Sequence, residues 1–405
     1  MNPQSDQTTI GLVIQQLESL STRYQPIIVD YDVSMEFNQP ELTIFEIYAL
    51  SNQLNDIQTR VLPSFRQQLC DLLASLGVTD SEKSNSAPNL LDTLEILSRL
   101  SPILDEISTF VHSIARIAHD SPEMEENDGH LEDLKQFKAK HLVSHIDQLL
   151  QDHARYLFIS SIKFLILSEF VRFGWEDGQR LDCCKERMIE ALAESIEFIN
   201  TTILSSKRSD FNFLQDHCQE CVENLTECID KLCSARTESS SQSISLRSLT
   251  AELVNSVLSI VKLIRIFFNK FARNPTNKPP FTIDPSINSD EFDRLEFRIT
   301  ELRFSLEDFT FDLIWMYERH DRRGDLPRDL THYKQLSQVI CDEFHRTFSW
   351  LKICVIPTTP LLDDCSSENS LESLFSVLID HVGLAVHTLI DAVCMAEATI
   401  QALSN

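Results

Sequence analysis

The sequence predicts an all-α protein of about ten long helices in two packed bundles, and three observations carry that expectation. Only seven of its 405 residues are glycine and fourteen are proline, against averages of about 7% and ~5%, so folds built on tight turns and close backbone approach are disfavoured. Apolar residues recur three and four apart through most of the chain, which places them on one face of a helix. No segment sustains the period-two alternation of a half-buried strand.

The elements follow in order. Ile10, Val13, Ile14, Leu17 and Leu20 give a first helix over 6–23. After Gln25–Gln39, flanked by Pro26 and Pro40, the series Leu42, Phe45, Leu50, Leu54, Ile57, Val61, Phe65, Leu69, Leu72 and Leu76 runs to Gly77. A glycine there fits a helix C-terminus, and Pro63 is expected to kink the helix without ending it. Polar Asp80–Ala87 precedes a third helix carried by Leu97, Leu100, Leu104, Ile107, Val111 and Ile114. The acidic run Asp120–Asp133 lacks the spacing of a calcium loop and is expected to be solvated and partly disordered. Leu131–Phe173 reads as one very long helix or two in succession, and Leu181–Leu204 and Asp210–Cys233 form a pair around Ser205–Ser209.

Ser234–Ser243 has no periodicity and little apolar content, as a linker would. The expected organisation is therefore an acidic N-terminal multi-helix bundle at 1–235, a Ser-rich linker at 236–243 and a C-terminal four-helix bundle at 244–405. Its helices are 244–273, 290–320, 329–355 and 366–403. In the second of these Leu295, Ile299, Leu302, Leu306, Phe309, Leu313 and Met316 alternate four and three apart, a seam that another helix must cover. Phenylalanine dominates the aromatics, 24 against six Tyr and three Trp, as expected where rings fill a core and need no polar partner.

The formal charge of −27 opposes adhesion to nucleic acid or an anionic membrane. It is uneven: residues 1–240 hold 19 basic and 39 acidic side chains, and 241–405 hold 16 and 23. Met1–Leu12 shows no secretory pattern and the eleven cysteines are odd in number, so an intracellular protein, cytoplasmic or nuclear, is expected. No transmembrane segment is expected either; the nearest apolar window, Leu253–Phe268, is broken by Lys262 and Arg265.

Known chemistries find little purchase. There is no G-x-S-x-G, no G-x-x-x-x-G-K-[ST] and no G-x-G-x-x-G, which removes the nucleophile elbow and the glycine-loop nucleotide sites. No cofactor is expected. Two metal or redox candidates remain. His217, Cys218, Cys221, Cys228 and Cys233 include a C-x-x-C, with Cys183-Cys184 as a further source of ligands. Zinc needs four ligands held tetrahedrally, whereas Cys218, Cys221, Leu225, Cys228 and Leu232 on one straight helix make a core stripe, where cysteine packs as a small hydrophobe. The other candidate is His141 and His145, i,i+4 on a helix, with Asp152 about 20° from His141 on an uninterrupted α-helical wheel. It lacks the glutamate of H-E-x-x-H, and partly exposed histidines of a polar-faced helix are its plain alternative.

The most distinctive local feature is electrostatic. From Leu253 to Ile283 there is no Asp or Glu, while Lys262, Arg265, Lys270, Arg273 and Lys278 stand among Ile260, Val261, Ile264, Ile266, Phe267 and Phe268. Such an island could dock an acidic partner protein, the acidic N-terminal half or an anionic headgroup; alternatively its cations favour a helix C-terminus and snorkel from a buried face.

Val261–Lys270, Leu351–Pro357 and the final helix Leu371–Leu403 resemble uncharacterised all-helical protein families expanded in rust fungi. The resemblance implies common ancestry over most of the chain and brings no activity, cofactor or site residue. A weaker likeness, in length, acidity and helix arrangement, is to the two-bundle cyclin-D-interacting proteins. The expected function is that of a non-enzymatic interaction or regulatory protein acting through the patch on helix 244–273. The alternatives are a metal-binding or redox helical enzyme using His141, His145 and Asp152 or the Cys218–Cys233 cluster, and a cyclin-binding-like regulator.

Overall fold

A computed structural model describes residues 3–24, 43–78, 88–118, 126–174, 178–237, 244–272, 281–323, 330–358 and 371–404. They divide into two compact units, Met1–Arg208 and Ser209–Asn405, and the described residues are overwhelmingly helical.

In the first unit α1 spans Pro3–Arg23, α2 Ile44–Asp56, α3 Leu62–Ser75, α4 Leu90–Ala118, α5 Gln136–Gln148, α6 Arg155–Arg172 and α7 Gly178–Ser205. Thr43 caps α2, its side chain accepting from the Glu46 amide while the Glu46 carboxylate accepts from the Thr43 amide. This reciprocal pair satisfies two of the free donors at a helix start. One π-helical turn, Ile57–Val61, joins α2 to α3 just before Pro63, which has no amide hydrogen to continue the α ladder. Gly77, at φ 72°, ends α3; the amides of Gly77 and Val78 bond to the carbonyls of Ala74 and Leu73, the Schellman arrangement that glycine permits. A second π turn, Leu149–Ala154, joins α5 to α6, so Leu131–Phe173 holds a 3₁₀ turn followed by this interrupted helix.

α4 packs against α1, α3 and α5, α6 against α1 and α7, and α3 against α7. Leu17, Leu69, Leu100, Ile107, Val143, Leu157 and Ile199 are fully buried in the resulting core. Of the acidic run, 119–125 lie outside the described residues. The rest is ordered where a loop was expected, Asp128–Leu134 forming a 3₁₀ turn; Glu126, Glu132 and Asp133 are exposed, while buried Asp128 accepts the Gln136 amide at 2.6 Å at the start of α5.

The second unit contains α8 Asp210–Thr237, α9 Ile244–Asn269, α10 Ser289–Arg323, α11 Thr331–Cys354 and α12 Leu371–Ser404. The division into units at Arg208/Ser209 corrects the boundary drawn at 236–243. α8 packs on α9 and α10, so it belongs with the helices after the Ser-rich segment, of which 238–243 lie outside the described residues. The four expected helices thus gain a fifth, and each neighbours the next around a ring: α8, α9, α12, α11, α10 and back to α8. A short antiparallel pair, β1 Phe281–Ile283 with β2 Val355–Pro357, adds strand where none was read. Three residues are too few to show a period, and the pairing is long-range.

The core of this ring is aromatic. Phe267 of α9 stands 5.2–6.3 Å, ring centre to ring centre, from Phe268, Phe271, Phe344, Phe348 and Phe375, all in the edge-on geometry that aromatic quadrupoles favour. Among the described residues, α12 over Leu371–Ala402 is long and apolar enough to cross a membrane by length and composition. It replaces Leu253–Phe268 as the most apolar stretch; Val382, Val386, Leu389 and Val393 are buried in this fold, while Leu374, Val377, Leu384 and Met395 of the same helix are exposed. Phe267→Ala is expected to cost the second unit about 3–5 kcal/mol of unfolding free energy, and exposed Phe304→Ala less than about 0.5 kcal/mol, measured by urea titration.

Candidate functional site

The cationic stretch becomes a defined surface once α9 is rotated into place. Val254, Val257, Leu258, Val261, Ile264, Phe267, Phe268 and Phe271 are buried between α8 and α12. What remains outside is a narrow strip, Glu252, Asn255, Ser259, Lys262, Ile266, Asn269 and Lys270, in which the carboxylate stands at the start. Arg265 leans sideways, its guanidinium 3.4 Å from the Thr226 hydroxyl of α8. Lys262 and Lys270 are exposed, and their side chains make no ion pair or hydrogen bond among the described residues. About 12 Å separates their positions along the helix axis, and Ile266, 45% exposed, stands between them.

The unit's other described cations behave differently. Lys231 pairs with Glu227, Arg294 with Asp290, Arg298 and Arg346 with Glu343, Arg303 with Glu307 and Glu220, Lys334 with Glu397 and Lys352 with Glu372. The α9 lysines are thus uncompensated in a chain of −27. Arg273 and Lys278, the remaining members of the expected patch, lie outside the described residues.

The metal candidates are placed as follows. His141 and His145 are 4.1 Å apart, ring to ring, and His141 Nε2 is 3.1 Å from the Ser205 hydroxyl. Both are partly buried, whereas Asp152 is exposed. The π turn Leu149–Ala154 contains Asp152, and the extra residue in that turn breaks the phase that would align it with His141. Among the described residues, no group of three or more His, Cys, Asp or Glu is placed to hold a metal ion. Burial, reinforced by Arg208, holds His141 below its ordinary range; burial, His141 and Arg208 hold His145 at about 4.

The cysteines follow the core stripe. Cys218, Cys221 and Cys228 are buried and Cys233 is exposed. Burial raises the first three thiols, Cys221 to about 12, which keeps them protonated and poor ligands at neutral pH. Cys183 is exposed and Cys184 half-buried, in the first unit.

Sequence reasoning missed one constellation, the polar seam where α8 meets α10. Asp293, Glu296, Thr300, Arg303 and Glu307 step three and four apart beside the buried Leu295–Leu306 series. That repeat was the available signal. His217 Nε2 lies 3.0 Å from the Thr300 hydroxyl. Arg303 stands 3.7 Å from Glu220 and 3.5 Å from Glu307, and its buried Nε has no hydrogen-bond partner among the described residues. Burial, with Asp293 and Glu220 adding, raises Glu296 to about 7, while burial lowers His217. Groups titrating this close to neutrality mark sites of tuned electrostatics.

Residues 51–207 match the model of a domain of unknown function (DUF8723) and residues 209–391 that of another domain of unknown function (DUF8721). The two matches meet at the division between the compact units. Neither curated proteins nor solved structures give a match.

Two measurements follow. Iodoacetamide should label exposed Cys183, Cys233 and Cys394 in the native protein and leave Cys218 and Cys221 protected until unfolding, read by peptide mass spectrometry. The titrations give opposite pH signatures. His145 is harder to protonate folded than unfolded, so its contribution to stability is complete above pH 6.5 and lost as the pH falls toward about 4. Glu296 is easier to protonate folded than unfolded, so its contribution is complete below 4.5 and lost as the pH rises through about 7. Glu296→Gln should therefore raise stability at alkaline pH, by something of order 1 kcal/mol, and leave it nearly unchanged at pH 4, measured by melting across the pH range.

Proposed function

We propose that this chain is a non-enzymatic, intracellular helical interaction protein whose second unit docks an acidic protein surface through the outer strip of α9. The supporting observation is the unpaired state of Lys262 and Lys270 beside exposed Ile266. A cation kept only for solubility gains by pairing with one of the abundant carboxylates, as Lys231, Arg294, Arg298, Arg303, Lys334, Arg346 and Lys352 of this unit do; two left free around an apolar side chain form a small complementary surface. Arg265, turned toward Thr226, orders the edge of the strip.

An anionic bilayer is the less fitting occupant. Juxtamembrane attraction takes clusters of four to eight cations, at about 1 kcal/mol each, and the described strip holds two. A protein carboxylate pair about 12 Å apart matches the lysine spacing along the axis.

The double variant Lys262→Glu/Lys270→Glu tests the proposal. Like charges brought into register cost of order several kcal/mol, so affinity capture from the native cell followed by mass spectrometry should lose an acidic partner that the unaltered chain retains. Circular dichroism and melting should not change, because neither lysine supports the fold. Capture unaffected by the reversal would sink the proposal.

A further inference from the structure

A second outward strip, on α10, has a different composition. Phe297, Phe304, Phe311 and Trp315 are 54%, 45%, 69% and 52% exposed. They follow one another at seven, seven and four residues, which keeps them on one line about 27 Å long. The opposite side of α10, Leu295, Ile299, Leu302, Leu306, Phe309 and Leu313, is buried in the ring. Between the rings stand Glu301 and Asp308, each four residues after a phenylalanine, and neither side chain makes an ion pair or hydrogen bond among the described residues. Arg298 lies 5.4 Å from the centre of the Phe297 ring and Arg303 4.3 Å from that of Phe304. Each guanidinium braces its ring by a cation–π contact, which lowers the ordering cost of burying the outer side.

We infer that this strip is a docking groove for an amphipathic helix of a partner protein, with apolar side chains repeating every seven residues and Lys or Arg facing Glu301 and Asp308. Charge selects that occupant. In a parallel pairing a second copy of α10 would set Glu301 and Asp308 against their own counterparts; in an antiparallel pairing centred between Phe304 and Asp308 it would bury those carboxylates against rings with no cation opposite. An anionic lipid surface repels the same carboxylates. The area fits as well. Four aromatic side chains of about 150–250 Å² each, half exposed, supply roughly 300–500 Å², a large part of the ~800 Å² that one partner contributes to a standard interface. The surface is separate from the α9 strip, so either could stand if the other failed.

The test uses the full chain and a fluorescent helical peptide of about 20 residues, with leucines in heptad spacing and lysines between, at about 0.15 M salt. Saturable anisotropy binding is expected, at least about tenfold tighter than for a scrambled peptide or one with glutamate for lysine. Phe304→Ala/Phe311→Ala should weaken binding by about tenfold or more without altering melting, and Glu301→Lys/Asp308→Lys should invert the preference toward the glutamate peptide. Absence of saturable binding, equal binding of the scrambled peptide, or indifference to these variants overturns the inference. So does a concentration-dependent dimer in sedimentation that Phe311→Asp abolishes, which would make a second copy the occupant.

Discussion

Phe267 decides how α9 is turned within the second unit. Its ring meets five other phenylalanines from α9, α11 and α12, and edge-on contacts of this kind have preferred angles as well as distances. Rotating α9 about its axis by one residue would turn Phe267 out of the cluster and carry Lys262 or Arg265 toward it, which burial of an unpaired charge forbids. The aromatic core therefore fixes the outward direction of Lys262 and Lys270 without any contact to them. The same reasoning holds for α10, where the fully buried series from Leu295 to Leu313 leaves Phe297, Phe304 and Phe311 no inward position.

Ring packing also explains why polar groups collect at the α8–α10 seam. Two helices meeting along apolar stripes leave a flank on each side that is neither dry nor fully wet. His217, Thr300, Glu296 and Arg303 occupy such a flank, and the displaced titrations of His217 and Glu296 follow from partial loss of water with incomplete pairing. The histidine pair of the first unit obeys the same physics, except that its neighbours are a serine hydroxyl, an aromatic ring and a like charge. Both clusters are explained as polar groups accommodated at helix contacts, and within them Glu296 and the histidines make stability depend on pH in opposite directions.

Much of this was legible because hydrophobic periodicity reports burial directly. The Leu295–Met316 seam is buried throughout, and so are Cys218, Cys221, Leu225, Cys228 and Leu232. Periodicity says which side of a helix is covered; it does not say by which neighbour. That is why α8 was assigned to the wrong bundle: a serine-rich connection between two helices of one unit has the same composition as a linker between units. The π turns were invisible for a related reason, since one extra residue in one turn hardly disturbs an apolar pattern yet moves Asp152 out of phase with His141. The β1–β2 pair depends on a contact between residues far apart in sequence. Residue type alone does not single out the exposed phenylalanines: abundant phenylalanine reads as core filler, which holds for Phe267, Phe292, Phe309 and Phe344, whereas the seven-residue spacing of Phe297, Phe304 and Phe311 runs alongside the buried series and is separated from it only by the fold.

In a ring of five helices each has two flanking neighbours, so folding constrains the inward face and both sides but leaves one outer strip to other pressures. The composition of those strips is consequently the part of the sequence least explained by stability. On α9 the strip, past Glu252 at its start, holds lysines without carboxylates in a strongly acidic chain. On α10 it holds large rings that lose nothing in packing by being polar and that raise the hazard of aggregation while exposed. A rim of isolated apolar residues is ordinary on any protein; a line of four aromatics, two of them braced from behind by arginines and interrupted by two unpaired carboxylates, is an arrangement with direction and charge order. Its length matches about five helical turns, which ties the strip to an extended helical occupant more closely than to a compact ligand.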